Sequence, residues 1–92
     1  GTPGEVVEIR GRVLENQNMM PVDGLGFLRI AVSGEEVEVI YGYGEWPPCP
    51  NDRGVQQGIA ARVGQQVEVY GVIVEGGEIT TCESEAYYIR AL

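Results

Sequence analysis

This chain predicts an all-β fold with one short helix, curled into a small closed barrel. Three observations carry that expectation. Two stretches, Glu8-Ile9-Arg10-Gly11-Arg12-Val13 and Glu68-Val69-Tyr70-Gly71-Val72-Ile73, read almost alike: each alternates around a single mid-strand glycine. A glycine inside a strand loses packing and costs entropy, so it marks a bulge or tight corner. Two glycine-bearing turns, Ser33-Gly34-Glu35 and Glu75-Gly76-Gly77-Glu78, each separate two extended runs, as hairpins require. Finally, 92 residues with a hydrophobic fraction of 43% suffice for one packed domain, and they argue against disorder.

Residues 1–5, Gly1-Thr2-Pro3-Gly4-Glu5, read as a flexible linker or cloning remnant, and residues 6–92 as a single barrel domain. The first strand covers Glu5–Glu15, with Val7, Ile9 and Val13 inward and Glu8, Arg10 and Arg12 outward. Asn16–Gly26 is expected as loop, on its Asn-Gln-Asn, Met-Met-Pro and Asp-Gly signals. Phe27–Val32 alternates again, with Leu28, Ile30 and Val32 inward. Glu36–Tyr41 follows, inward through Val37, Val39 and Tyr41. Gly42–Pro50 then breaks the pattern with two glycines and three prolines around Trp46. Asn51 or Asp52 is placed to cap a helix over Val55–Arg62, closed by Gly64. Gln66–Val74 is the fourth strand, Ile79–Cys82 the fifth, and Ala86–Leu92 a last extended segment.

That order of elements, together with the two bent strands, resembles the OB-fold, a five-stranded Greek-key barrel with a helix between its third and fourth strands. The resemblance covers roughly Val6 to Leu92, with an SH3-like or another small β-barrel as the main alternative. A fold of this kind does not assign a function.

Charge excludes more than it selects. Fourteen acidic residues stand against six basic ones, a net of −8; all six are arginine, with no lysine and no histidine. Nucleic-acid binders concentrate positive charge to displace counterions from phosphate, and here the overall field repels polyanions. Without histidine the commonest metal ligand and general base are missing, and without lysine there is no Schiff-base or P-loop chemistry. No run approaches the ~20 apolar residues of a membrane span.

Cys49 and Cys82 are the only cysteines. Two thiolates without histidine do not complete a structural zinc site. They remain open to two readings, as separate buried thiols or as a disulfide pinning the Pro-rich connection to the end of the fifth strand. Both lie at strand margins that a barrel brings together, which favours the disulfide and with it an oxidising compartment. The spacing from Asp23-Gly24 through Phe27-Leu28-Arg29 and Val39-Ile40-Tyr41 to Gly44-Glu45, Cys49, Cys82 and Tyr87-Tyr88-Ile89 resembles OB-like domains of exported bacterial proteins. That resemblance implies an extracytoplasmic location and no particular ligand.

The aromatic segment Tyr41-Gly42-Tyr43-Gly44-Glu45-Trp46-Pro47-Pro48 is a candidate recognition surface for a base, sugar or peptide. Its bland alternative is that Trp46 plugs one end of the barrel. In Tyr87-Tyr88 one ring is expected to face the core and the other solvent. The OB-fold resemblance implies a ligand face on strands two and three. There this chain presents Phe27, Arg29, Ala31, Glu36, Glu38 and Ile40, and the glutamates suit a phosphate backbone poorly. Phe27, Arg29, Tyr43 and Trp46 are therefore the candidate partner surface. Glu8, Glu36, Glu38 and Glu68 are expected on outward faces as solvated charges. No carboxylate pair, calcium loop or nucleophile with its base is present in the pattern.

The resulting expectation is an acidic, disulfide-bridged, non-catalytic binding module, extracytoplasmic, needing no cofactor and no metal. Its partner is a protein, peptide or small molecule. The alternatives are a single-stranded nucleic-acid binder and a structural domain that oligomerises through a strand edge.

Overall fold

A computed structural model describes residues 1–22, 24–44 and 49–92. Among these residues six strands and one α-helix follow in the order β1 (Val6–Asn18), β2 (Leu25–Val32), β3 (Glu35–Tyr43), α1 (Asp52–Ala60), β4 (Gln66–Ile73), β5 (Ile79–Thr80) and β6 (Tyr88–Ala91). β1, β2, β3, β5 and β4 pair in that sequence, and β4 returns to β1, closing a five-stranded barrel. The barrel is mixed, because β3 and β5 run parallel while the other pairs are antiparallel. β4 has β1 along one edge and, on the other, β5 at Val72–Ile73 and β6 at Val67–Tyr70. The expected all-β fold, a closed five-stranded barrel with one short helix, is thus the observed architecture, and it is consistent with the OB-like barrel read from the element order.

Closure depends on β1, which serves two partners in turn. Its residues Val6–Arg12 pair with β4 and its residues Arg12–Asn18 with β2. Gly11 sits at the handover, where a Cβ would run into the backbone carbonyl of Ala31. Gly71 occupies the equivalent place in β4, where a Cβ would come within 2.6 Å of the Thr80 carbonyl oxygen. Both glycines are required by close backbone approach rather than by an unusual φ.

The core is formed by Val13, Leu28, Ile30, Val39, Tyr41, Val67, Val69, Ile73, Ile79 and Ile89, all buried. The predicted inward residues of the second and third strands are among them or packed against them. Ile40, expected to face outward, is also buried, because β5 pairs beside it and the Thr80 hydroxyl donates to its carbonyl over 3.1 Å. Ser33 and Gly34 make the expected hairpin turn, with φ of 52° and 83°.

Several boundaries differ from the sequence reading. β1 continues through Asn18 and β2 begins at Leu25, so much of the expected first loop is paired strand, flanking a short 3-10 turn at Met20–Val22. The helix starts and ends earlier than Val55–Arg62. Asn51 caps it, accepting from the Gly54 amide at 3.1 Å, and Ala61 rather than Gly64 closes it. The fifth strand stops at Thr80, and the tail segment forms strand only over Tyr88–Ala91.

A nine-residue helix has little stability of its own, and two asparagines hold this one to the barrel. At its start, the buried Asn51 donates from Nδ2 to the carbonyls of Thr81 (2.8 Å) and Tyr87 (3.0 Å). At its end, Asn16 of β1 donates from Nδ2 to the carbonyls of Gly58 (3.0 Å) and Ala61 (2.7 Å). Between them Tyr41, with no exposed surface, fills the barrel's end directly under Gly58. Cys49 and Cys82 form a disulfide with Cα atoms 5.1 Å apart, closing 33 residues beside Asn51. Trp46, the other candidate plug, lies outside the described residues.

Candidate binding surface

The sheet presents two outer faces of opposite character. On β2 and β3, cross-strand partners place Phe27 beside Ile40, Arg29 beside Glu38, and Ala31 beside Glu36. Arg29 lies 5.9 Å from the Phe27 ring centroid, an arrangement that favours cation–π attraction. Its guanidinium also pairs with Glu15 at 3.1 Å and Glu36 at 3.7 Å. Three carboxylates (Glu15, Glu36, Glu38) therefore surround one cation that is already engaged. Of the candidate surface residues, Phe27 and Arg29 stand together; Tyr43 lies at the end of β3 opposite Leu25, and Trp46 is outside the described residues.

The second face, on β1, β4 and β6, does not show in the alternation pattern. Its rows follow from the register. Glu8, Tyr70 and Tyr88 are side by side, then Arg10, Glu68 and Arg90, then Arg12 with Gln66. Glu68, expected to be solvated, is buried, its side chain only 2% exposed. The flanking arginines cover it, with side chains 65% and 59% exposed. Arg10 donates from Nε to Glu68 Oε2 at 2.9 Å, and the Tyr88 hydroxyl donates to Oε1 at 2.9 Å. Arg90 pairs with the same Oε1 and stacks over the Tyr88 ring at 5.5 Å.

These contacts set the proton affinities. The Tyr88 hydroxyl bond holds the Glu68 carboxyl below its ordinary range, with Arg10 and Arg90 adding to the effect against the opposing cost of burial. Reciprocally, the bond to Glu68 pushes the Tyr88 phenol up, and burial adds to it. A glutamate in the middle of a three-strand row is legible only once the register is known, because arginine must fall on both neighbouring strands. The same holds for the tyrosines. Tyr87 and Tyr88 both pack on Tyr70, at 5.3 and 5.6 Å between ring centroids, and Ile89 takes the core position instead.

Charge on this face is reversed relative to the molecule. Arg10, Arg12 and Arg90 stand against Glu8 and Glu68, whereas the whole chain carries −8. The face continues around β6 into a groove against α1, of about 430 Å³, lined by Gln57, Arg62, Gln65 and Arg90 among others and, among the described residues, by no carboxylate. Among the described residues no cluster of three or more acidic, cysteine or histidine side chains is placed to hold a metal ion, and no helix is long and apolar enough to cross a membrane.

No protein-family model matches this chain, and no curated protein sequence matches it. Among solved structures it is similar to part of TiaS. With the TiaS complex containing tRNA and ATP, identity is 26% and the TM-score 0.62, covering 83% of this chain and 16% of that one. With the ZRD-deleted TiaS mutant bound to agmatine, identity is 25%, the TM-score 0.62 and the coverage 83% and 19%. With the TiaS complex of tRNA, AMPCPP and agmatine, the figures are 25%, 0.61, 83% and 17%. This chain thus spans less than a fifth of those proteins, and they lend no support to the resemblance to exported bacterial domains.

Proposed function

We propose that this domain is a non-catalytic, OB-like binding module of an extracytoplasmic protein, and that it meets its partner through the outer face of β1, β4 and β6. The observation that carries this reading is the cluster of Arg10, Arg90, Tyr70, Tyr87 and Tyr88 built around buried Glu68. Arginine and tyrosine are among the side chains most enriched at interaction hot spots; hydrogen bonds to Glu68 hold Arg10, Arg90 and Tyr88, and ring packing holds Tyr70 and Tyr87, which lowers the entropy cost of binding. A non-catalytic role fits the state of Glu68, whose oxygens are occupied by three side chains and are closed to a substrate. The disulfide is the support for an oxidising compartment.

Amide shift mapping of labelled protein against peptides, oligosaccharides and short oligonucleotides tests the reading. Shifts should fall on Arg10, Tyr70, Tyr88 and their neighbours. A ligand whose shifts are confined to Phe27, Arg29 and Glu38 would overturn it.

A second reading, a nucleic-acid module, is favoured by the likeness to a protein solved with tRNA. Non-specific nucleic-acid binders reach ~10⁻⁴–10⁻⁶ M at physiological salt and bind more tightly as salt falls. A net charge of −8 opposes that, and Arg29 on the β2–β3 face is neutralised. Fluorescence anisotropy with a single-stranded oligonucleotide at about 50 mM salt should give dissociation constants no tighter than millimolar; micromolar, salt-sensitive binding would make this second reading the better one.

A further inference from the structure

β6 is the open edge of the sheet: it pairs with β4 and with no other strand among the described residues. The Leu92 amide donates to the Gln66 carbonyl at 3.0 Å, so the alternate residues Ile89 and Ala91 turn their main-chain groups away from β4. The Ile89 amide is taken by Gln57 Oε1 of α1 at 3.0 Å. Ala91 faces the groove, next to Arg62 and Arg90. Arg62 has no ion-pair partner among the described residues, and Arg90, engaged through one nitrogen, retains further donors for a second anion. On the far side of Gln57 a smaller cleft of about 210 Å³ holds Arg53, Tyr88 and Arg90. Arg53 also borders a neighbouring cleft with Asp52 and Glu85, so Arg62 and Arg90 dominate the positive potential here.

We propose that the groove between α1 and β6 receives an extended acidic segment of a protein partner, whose main chain pairs with Ala91 and whose carboxylates sit on Arg62 and Arg90. This deepens the binding-module reading and rests on it. Charge complementarity selects an anion, since among the described residues three arginines and no carboxylate line the two clefts on either side of Gln57 in a chain bearing fourteen acidic residues. The free Ala91 edge selects a polypeptide, because strand addition recognises main-chain N–H and C=O groups that a nucleic acid lacks. Charge density selects it again. A segment with two or three carboxylates meets the overall negative field with far less repulsion than a backbone with one charge per nucleotide.

The test uses a fluorescein-labelled peptide of alternating glutamate and valine, about eight residues long, which matches the reach of an edge strand. Its controls are the same peptide with glutamine for glutamate and an oligouridine of similar length. The acidic peptide should bind, the glutamine peptide should bind at least tenfold more weakly, and the Ala91 amide should gain protection from exchange. Arg62→Gln should weaken the acidic peptide by about two- to fivefold, as expected for losing one charge-assisted contact at an exposed site, and Arg62→Glu should weaken it further. Equal affinity for both peptides, or no effect of either Arg62 variant, overturns the proposal. Oligouridine binding that is tighter and Arg62-dependent overturns it in favour of a phosphate-backbone site. Peptide binding that is lost in Arg12→Gln or Tyr70→Ala but kept in Arg62→Gln overturns the groove while leaving the β1–β4–β6 face as the binding surface. Failure of the acidic peptide with another ligand class still shifting that face has the same meaning.

Discussion

The Tyr41 hydroxyl donates a 2.8 Å hydrogen bond to Oδ1 of Asn16, and through that contact the barrel core grips the last turn of α1. Asn16 accepts from the core with its oxygen and donates to the helix carbonyls with its nitrogen, so one side chain satisfies groups on both sides. Removing it leaves the phenol only a long 3.5 Å contact to the Gln17 carbonyl and takes the Asn16 amide from the Ala61 carbonyl, while the Gly58 carbonyl keeps the Ala61 amide. Asn16→Ala should therefore destabilise by about 2–3 kcal/mol, and Tyr41→Phe, which leaves the helix carbonyls bonded, by about 1 kcal/mol. Urea midpoints of the two variants check the order. A smaller loss for Asn16→Ala than for Tyr41→Phe would mean that the helix does not depend on this link.

Gly11→Val and Gly71→Val should each destabilise by well over the ~0.5 kcal/mol of an ordinary surface change. In both cases the new side chain meets a backbone carbonyl, of Ala31 or Thr80, which cannot swing aside as a side chain would. The strands must separate at the barrel seam instead. Denaturant midpoints equal to the parent's would contradict the close approach.

Those two glycines are legible in the sequence alone, because repeated mid-strand glycine has few explanations in a short β chain. The chain order of the elements and most of the inward residues follow from alternation in the same way. What alternation does not carry is the identity of lateral neighbours. Glu68 looks like any outward glutamate along β4, and its burial arises from Arg10 and Arg90 on two other strands and from the Tyr88 hydroxyl. Asn16 to Asn18 likewise reads as a polar loop. Local propensity favours a turn there, but pairing of Asn16–Asn18 with Gly26–Leu28 overrides it. The candidate binding face is hidden from the pattern because it is assembled from three strands distant in the chain.

Denatured without reductant, the protein should show no free thiol, because Cys49 and Cys82 are joined and are its only cysteines. Closing 33 residues constrains the unfolded chain, and loss of the bridge should cost about 3–4 kcal/mol in the chain-entropy model. For a domain this small that is a large part of its stability. Alkylation with mass measurement reads the thiols, and a Cys49→Ala/Cys82→Ala variant reads the stability. Two alkylated cysteines in protein prepared under oxidising conditions would remove the bridge and the case for export built on it.

Stability should fall at both ends of the pH range through the Glu68–Tyr88 pair. On the acid side, Glu68 titrates below the ordinary carboxylate value of about 4.3 in the folded state. The unfolded chain therefore takes up its proton first as pH drops. The stabilisation is complete above the ordinary value and is lost as pH falls through the lower, folded one. On the alkaline side, Tyr88 titrates above the ordinary phenol value of about 10, chiefly because its proton is held by Glu68, and burial raises Tyr41 as well. Their contribution is present below the ordinary value and is lost as pH rises through the folded ones. Two variants separate this pair from the other titrating groups. Glu68→Gln should flatten both limbs of the urea midpoint against pH, since it removes the carboxyl and the main cause of the Tyr88 shift. Tyr88→Phe should flatten the alkaline limb and only part of the acid one, because Arg10 and Arg90 still lower Glu68. Curves for parent and Glu68→Gln that run parallel throughout would mean that Glu68 is not held as its hydrogen bonds indicate.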